Sequence, residues 1–368
     1  MDGSLFALSL QHLREHNPQP AGYAMRECMA ASATDAIATA THPSRARMME
    51  RAADLFVRNP ALLHPDLAWH TNEHGWCVKG SHPWSLNDED LQQLEWQEMA
   101  GDERVFSAVL PSDAGLHQWI ATQLQSPVGE NNGICLDHVK VVKSATTIAG
   151  FHYRVQQTAA RLSSGGDNNP FVQSWPDDDV KTAMLRHFES QFAVTERDTV
   201  RVLPLWHGCS ASVADEIMSK GPAALAKSDD GLFGAGVYLT PQPEYAAVYS
   251  SELFSPQPSP AAAAGNAVLL LCAVCVGSAY PVTRAADMEV FGGVMQCKYR
   301  NRALHPGCDT HHVLVDARMG FSLPPVDSPL EHHFEEVVVA QEAQVLPIAK
   351  VTVRVDRQQL QQSISSQH

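Results

Sequence analysis

Apolar residues follow two different rhythms along this chain. In the first half they recur at helical spacing. In the second half they alternate or run together as strands do. Ser44 to Val57 reads as a helix, with Ser44 as N-cap and Met48, Ala52 and Phe56 on one stripe. Asp113 to Gln125 is a second, with Leu116, Ile120 and Leu124 on its apolar face. Ile134 to Val142 alternates as a strand, and Ser144 caps a helix that runs to about Leu162. Ser163 to Pro170 is a loop by composition, and Asp179 to Phe192 is a further helix, with Asp177 to Asp179 as a solvated turn at its start. Strands then dominate: Val200–Trp206, Gly236–Thr240, Ala267–Gly277, His311–Ala317, Glu336–Ala340 and Val345–Val355. Two short helices interrupt them. One runs from Ser212 to Lys220, with Ser212 as N-cap and Gly221 as the stop. The other is Pro243 to Glu252. Ser255–Ala264, rich in Pro and Ala, reads as a flexible insertion, and the Gln/Ser tail from residue 356 as disordered. Short strands with few long helices between them give an α+β fold built on antiparallel sheets, not a doubly wound parallel one.

At 368 residues the chain is too long for one core, which rarely grows past roughly 250–300 residues. Residues 1–102 therefore read as a separate N-terminal α+β region, 103–355 as the main domain, and 356–368 as the tail. A net charge of −15 argues against a broad grip on nucleic-acid phosphates. No apolar run is long enough to span a membrane, and the N-terminus lacks the basic segment of a signal peptide. With eight thinly spread cysteines, the expected compartment is reducing, cytoplasm or nucleus.

No metal site is expected. Cys272-x2-Cys275 lies in an apolar strand, where residues three apart face opposite sides. His305, His311, His312, His332 and His333, with Cys297 and Cys308, offer no compact ligand pair of standard spacing.

Three segments carry chemistry. Pro204-Leu-Trp-His207-Gly208-Cys209-Ser210 ends a strand, Phe233-Gly-Ala-Gly236-Val-Tyr238-Leu-Thr240 opens another, and Glu336 heads an otherwise apolar third that runs on through Gln344 and Pro347. In this order and spacing they resemble the catalytic domain of the poly(ADP-ribose) polymerase family, diphtheria-toxin-like ADP-ribosyltransferases with a His-Tyr-Glu triad. The resemblance covers about residues 103–355, including the helix–strand–helix opening with Phe151-His152-Tyr153.

It implies an ADP-ribosyltransferase fold of two small packed sheets with flanking helices. The implied activity is cleavage of the nicotinamide–ribose bond of NAD and transfer of ADP-ribose to a protein side chain. NAD is then the donor substrate, and proteins are the acceptors. Carried over residue by residue, His207, Tyr238 and Glu336 are the catalytic set, and Gly208, Ser210, Gly236 and Tyr249 belong to the NAD site. In the family the glycine after the histidine binds the nicotinamide carboxamide through its backbone, the histidine holds an adenosine-side ribose hydroxyl, and the tyrosine at the position of Tyr249 stacks on nicotinamide. Trp69, Trp76, Trp84 and Leu91-x2-Leu94-x-Trp96 are similar in spacing to a WWE module, which in that family binds ADP-ribose-containing ligands; tryptophans filling a small α+β cap are the alternative.

The chemistry suits these residue types. Breaking a nicotinamide–ribose bond passes through an oxocarbenium-like state, the problem glycosidases face. A carboxylate can stabilise that charge, bond a ribose hydroxyl and take the acceptor's proton. Glu336 is the candidate. Glu335, on the other strand face, is expected to tolerate replacement.

Three departures from the family pattern stand out. Ala246 occupies the place of a carboxamide-binding serine, Cys209 separates Ser210 from His-Gly, and the donor loop Pro222–Leu232 is short and lacks the usual arginine. They leave open a catalytically impaired binding module of the same fold.

Overall fold

Burial on both faces makes a strand central, and here that condition falls on the most apolar run of the chain. The computed structural model describes residues 94–99, 102–125, 132–163, 175, 178–190, 200–222, 231–253, 258–332 and 334–366. The helix expected at Ser44–Val57, the tryptophans Trp69, Trp76 and Trp84, His333, the loop 164–170 and most of the donor loop lie outside the described residues.

In chain order the elements are β1 (Gln97–Met99), β2 (Asp102–Val109), α1 (Gly115–Gln123), β3 (Ile134–Ser144), α2 (Ala145–Ser163), α3 (Asp179–Ser190), β4 (Val202–Cys209) and α4 (Ala211–Lys220). Then come β5 (Val237–Leu239), α5 (Pro243–Ser250), α6 (Pro260–Ala263), β6 (Asn266–Cys275), β7 (Ala279–Val282), α7 (Arg284–Asp287), β8 (Met288–Phe291), β9 (Val294–Cys297), β10 (Thr310–Val315), β11 (Phe334–Val339), β12 (Val345–Val355) and α8 (Arg357–Ser366).

Among the described residues, one sheet has six strands in the order β1-β2-β3-β12-β6-β4, and a second has four, β5-β11-β10-β7. All pairings are antiparallel except β10 with β7. The antiparallel α+β architecture read from the sequence is the one observed. The first strand of the larger sheet begins at Gln97. β6 is buried from Ala267 to Cys275, and its two faces feed two apolar layers. Leu269, Leu271, Ala273 and Cys275 pack with Phe151, Trp206 and Tyr245, whereas Leu270, Cys272 and Val274 pack with Leu205, Ile217 and Met218. Cys272 and Cys275 thus face opposite sides, as their spacing requires.

Among the described residues, an isolated antiparallel bridge joins the edges of the two sheets. Trp206 donates to the Thr240 carbonyl at 2.7 Å, and Thr240 donates back at 2.9 Å. This seam fixes the end of β4 against the end of β5.

Two expectations are overturned. The tail forms helix α8, since Leu360 and Ile364, four residues apart, bury one stripe against the core. Asp356 accepts from the Gln358 and Gln359 amides, and Arg357 donates to the carbonyls of Glu252 and Leu253. The Pro/Ala insertion contains α6, a helical turn capped by the Ser259 hydroxyl, rather than flexible chain throughout.

Leu360→Ala should therefore cost about 2–5 kcal/mol of stability, as for a buried leucine in a well-packed site. Urea unfolding checks this against exposed Gln362→Ala, which should cost under about 0.5 kcal/mol. Equal effects would mean the tail helix contributes nothing.

Candidate active site

The seam brings the end of β4 beside β5 and β11. His207, the residue after the bridge, turns its Nδ1 onto the Tyr238 carbonyl at 2.8 Å. An acceptor carbonyl there puts the proton on Nδ1 in the neutral ring and directs the Nε2 lone pair away. Tyr238 pairs with Val338, so Tyr238 and Glu336, two residues from Val338, share one face of the smaller sheet. Glu335 takes the opposite face.

Glu336 is only 6 % exposed. A carboxylate buried this far needs donors. Tyr245 supplies one at 2.6 Å to Oε1, and Tyr249 donates to the same oxygen at 3.3 Å. The two hydroxyls are also 2.9 Å apart. Tyr245 is held by stacking on Phe334 at 4.6 Å and Phe321 at 5.7 Å between ring centroids. Burial first, and then the neighbouring Glu336, push its phenol far above the ordinary tyrosine range, so it remains a donor. Tyr249 differs: it is 54 % exposed and offers its ring to solvent.

Tyr245 was not singled out in the sequence, where an aromatic on a short helix reads as packing. The signal was its spacing: Tyr245 and Tyr249, four apart, share a helix face.

Gly208 and Gly236 are required by close packing. A Cβ on Gly208 would fall inside the van der Waals shell of the Ala246 carbonyl, and one on Gly236 would collide with the Val339 carbonyl and the Val338 side chain. Helix α5, which carries Tyr245 and Tyr249, therefore sits directly on the strand that carries His207. Ser210 is the observed N-cap of α4, accepting from the Val213 amide at 3.4 Å, so the cap is two residues earlier than expected and Ser212 lies within the helix.

The Tyr238 hydroxyl is engaged within its own loop. It accepts from the Phe233 amide at 2.8 Å and donates to the Gly234 carbonyl at 2.9 Å. Buried His311 braces that loop, with Nδ1 on the Phe233 carbonyl at 2.6 Å and Nε2 accepting from the His305 amide at 2.7 Å. Burial pushes His311 down to about 4, against the help of the Phe233 carbonyl.

Glu335 corrects a further expectation. It is buried and bonded to His312 at 2.7 Å and His187 at 3.0 Å, so replacing it is not innocuous.

Residues 179–306 match the family model for the poly(ADP-ribose) polymerase catalytic domain. The matched span runs from the start of α3 to the approach to β10. It includes His207, Gly208, Ser210, Gly236, Tyr238 and Tyr249, and stops before Glu336. Members of that family generally act as ADP-ribosyltransferases that use NAD as substrate. No curated protein matches the chain.

Two outcomes follow. Gly208→Ala should destabilise by about 1–3 kcal/mol or more, because backbone must move. Gly150→Ala, in α2 with open space around it, should stabilise by roughly 0.5–1 kcal/mol. Chemical denaturation of both variants decides; a neutral Gly208→Ala would show that α5 does not press on β4.

The second outcome concerns pH. The His311 ring is neutral when folded down to about pH 4 but titrates near 6.5 when unfolded. Its contribution is complete above pH 6.5 and falls as pH drops from 6.5 toward 4, by about 3 kcal/mol in all. His311→Asn should flatten the stability–pH curve across that window, and an unchanged slope would contradict the assignment.

Proposed function

We propose that this chain, which carries a poly(ADP-ribose) polymerase catalytic domain, is an NAD-dependent transferase that moves ADP-ribose onto a protein side chain. One observation carries the reading: Glu336 is a buried carboxylate held by two tyrosine hydroxyls, one of them on the exposed Tyr249, and it shares a sheet face with Tyr238, whose carbonyl holds His207. A deeply buried negative charge within a strand is costly to maintain, and in this reading its use is to meet positive charge that develops only transiently.

In this reading residues 103–355 act as the catalytic domain. The nicotinamide ring stacks on Tyr249, and the Gly208 backbone holds its carboxamide. His207 bonds an adenosine-side ribose hydroxyl through Nε2, which its Nδ1 contact leaves facing away from Tyr238. Gly236 lets β5 lie close against β11, and Ser210, at the start of α4, lines the donor side. Tyr238 keeps the loop Phe233–Gly234 in shape and adds an aromatic wall. Glu336 bonds the nicotinamide-side ribose, stabilises the oxocarbenium as the C–N bond breaks, and takes the proton of the attacking acceptor. Tyr245 positions Glu336 by fixing Oε1.

The alternative, a binding module that holds NAD without turning it over, is favoured by Ala246, which presents only a methyl group where the family has a hydroxyl.

Glu336→Gln keeps the size of the side chain and removes its charge. Transfer from labelled NAD should fall by about 10²–10³ while NAD affinity changes little, since the loss is confined to the transition state. Exposed Glu331→Gln is the control, with the same carboxylate chemistry and only a 3.8 Å contact to Arg318. Wild-type transfer matched by Glu336→Gln removes Glu336 from catalysis. NAD binding without transfer in the wild type establishes the binding module.

A further inference from the structure

On the face of β11 opposite Glu336, Glu335 meets three histidines from three other places in the chain. His187 Nε2, from α3, lies 3.0 Å from Oε1. His332 Nε2, from the segment just before β11, lies 3.7 Å from the same oxygen. His312 Nε2, from β10, holds the other oxygen, Oε2, at 2.7 Å. The ligand atoms of His187, His332 and Glu335 all lie within 4.8 Å of one another.

We propose that His187 Nε2, His332 Nε2 and Glu335 Oε1 bind a divalent transition-metal ion with a preference for imidazole, of which zinc is the type.

Three features support this. The first is the tautomer of His332. Its Nδ1 lies 2.8 Å from the Leu330 carbonyl, which can only accept, so Nδ1 carries the proton. Nε2 is thereby turned toward a carboxylate oxygen, at a separation too long for a direct hydrogen bond. A nitrogen and a carboxylate oxygen at that distance leave room for an ion bound to both.

The second is spacing. Zinc with nitrogen and oxygen ligands at about 2.0–2.2 Å in tetrahedral geometry separates those atoms by roughly 3.3–3.5 Å. The measured 3.0 and 3.7 Å bracket that edge for the two nitrogen–oxygen pairs, and the two nitrogens, within 4.8 Å of each other, close to it by rotation of the half-exposed His187 ring.

The third is the outer layer. Metal-bound histidines characteristically donate their other ring nitrogen to a carbonyl, and bound carboxylates are themselves hydrogen-bonded. Leu330 does the first for His332, and His312 does the second for Glu335. His312 is itself fully buried and stacked on Phe188 at 4.3 Å.

The His187 side chain is 41 % exposed, which leaves the fourth coordination position open to water on that side. Any proton on His187 or His332 Nε2 leaves to solvent when the ion enters. Two histidines and one carboxylate form a three-ligand set with an open position, which zinc takes readily. Sequence spacing could not reveal it, because the ligands come from α3 and from the approach to β11, far apart in the chain. The ion would tie both to the strand that also carries Glu336.

The test uses the full-length protein stripped with a chelator and dialysed. Zinc is titrated in competition with a chromophoric chelator, and cobalt(II) serves as a spectroscopic probe. The expected result is one equivalent bound, a visible cobalt absorption of low-symmetry four- or five-coordinate type, and a raised melting temperature. His187→Ala, at a half-exposed position, and His332→Ala should each weaken binding at least ~10–100-fold, the loss typical even of outer-layer partners. His138→Ala, an exposed histidine elsewhere, should leave it unchanged. Glu335→Gln gives a second route to the same loss. No stoichiometric binding, or binding that His187→Ala and His332→Ala leave intact, overturns the proposal.

Discussion

Successive side chains of a strand face opposite ways, and on β11 this places two buried carboxylates back to back. Glu336 and Glu335 are 6 % and 1 % exposed, and each must be satisfied on its own side. Glu336 is met by phenols from α5, and Glu335 by imidazoles from α3, β10 and the chain just before the strand. The register of β11 between β5 and β10 is therefore fixed by polar pairing as well as by the apolar residues that follow. A one-residue slip would exchange the two carboxylates and leave both without their donors.

The rest of the site is positioned by contact between elements. The Trp206–Thr240 bridge sets His207 against Tyr238, and Gly208 lets α5 descend onto β4, bringing Tyr245 and Tyr249 to Glu336. One helix thus supplies two hydroxyls with different surroundings. Tyr245 is locked in an aromatic stack, where it can only orient the carboxylate. Tyr249 is half-exposed. Behind the strands, His311 braces the loop that receives the Tyr238 hydroxyl.

Much of this was legible in the sequence, because the segments around His207, Tyr238 and Glu336 each carry a local signature and strand alternation assigns faces without further information. The antiparallel sheets followed from short apolar runs punctuated by turns. What was not legible depends on distant partners. Tyr245 reads as core until the position of Glu336, its hydrogen-bond partner from a distant strand, is known. Glu335 was assigned correctly to the far face, yet its burial among histidines arises from α3 and β10 and leaves no mark on neighbouring residues. Ser210 and Ser212 are both capping residues by type, and only the backbone shows which one starts the helix. The tail reads as disordered because glutamines and serines outweigh the apolar pair Leu360 and Ile364, whose spacing is the signal of the helix.

Helix α5 brings the exposed ring of Tyr249 to the buried carboxylate of Glu336 while pressing on the Gly208 backbone. A crystal structure with a non-hydrolysable NAD analogue tests that convergence most directly. The account predicts the nicotinamide ring against Tyr249, its carboxamide on the Gly208 backbone, and a ribose hydroxyl within hydrogen-bond distance of Glu336. An analogue bound elsewhere, or one bound with Tyr249 uncovered and Glu336 touching only the two tyrosines, would contradict it.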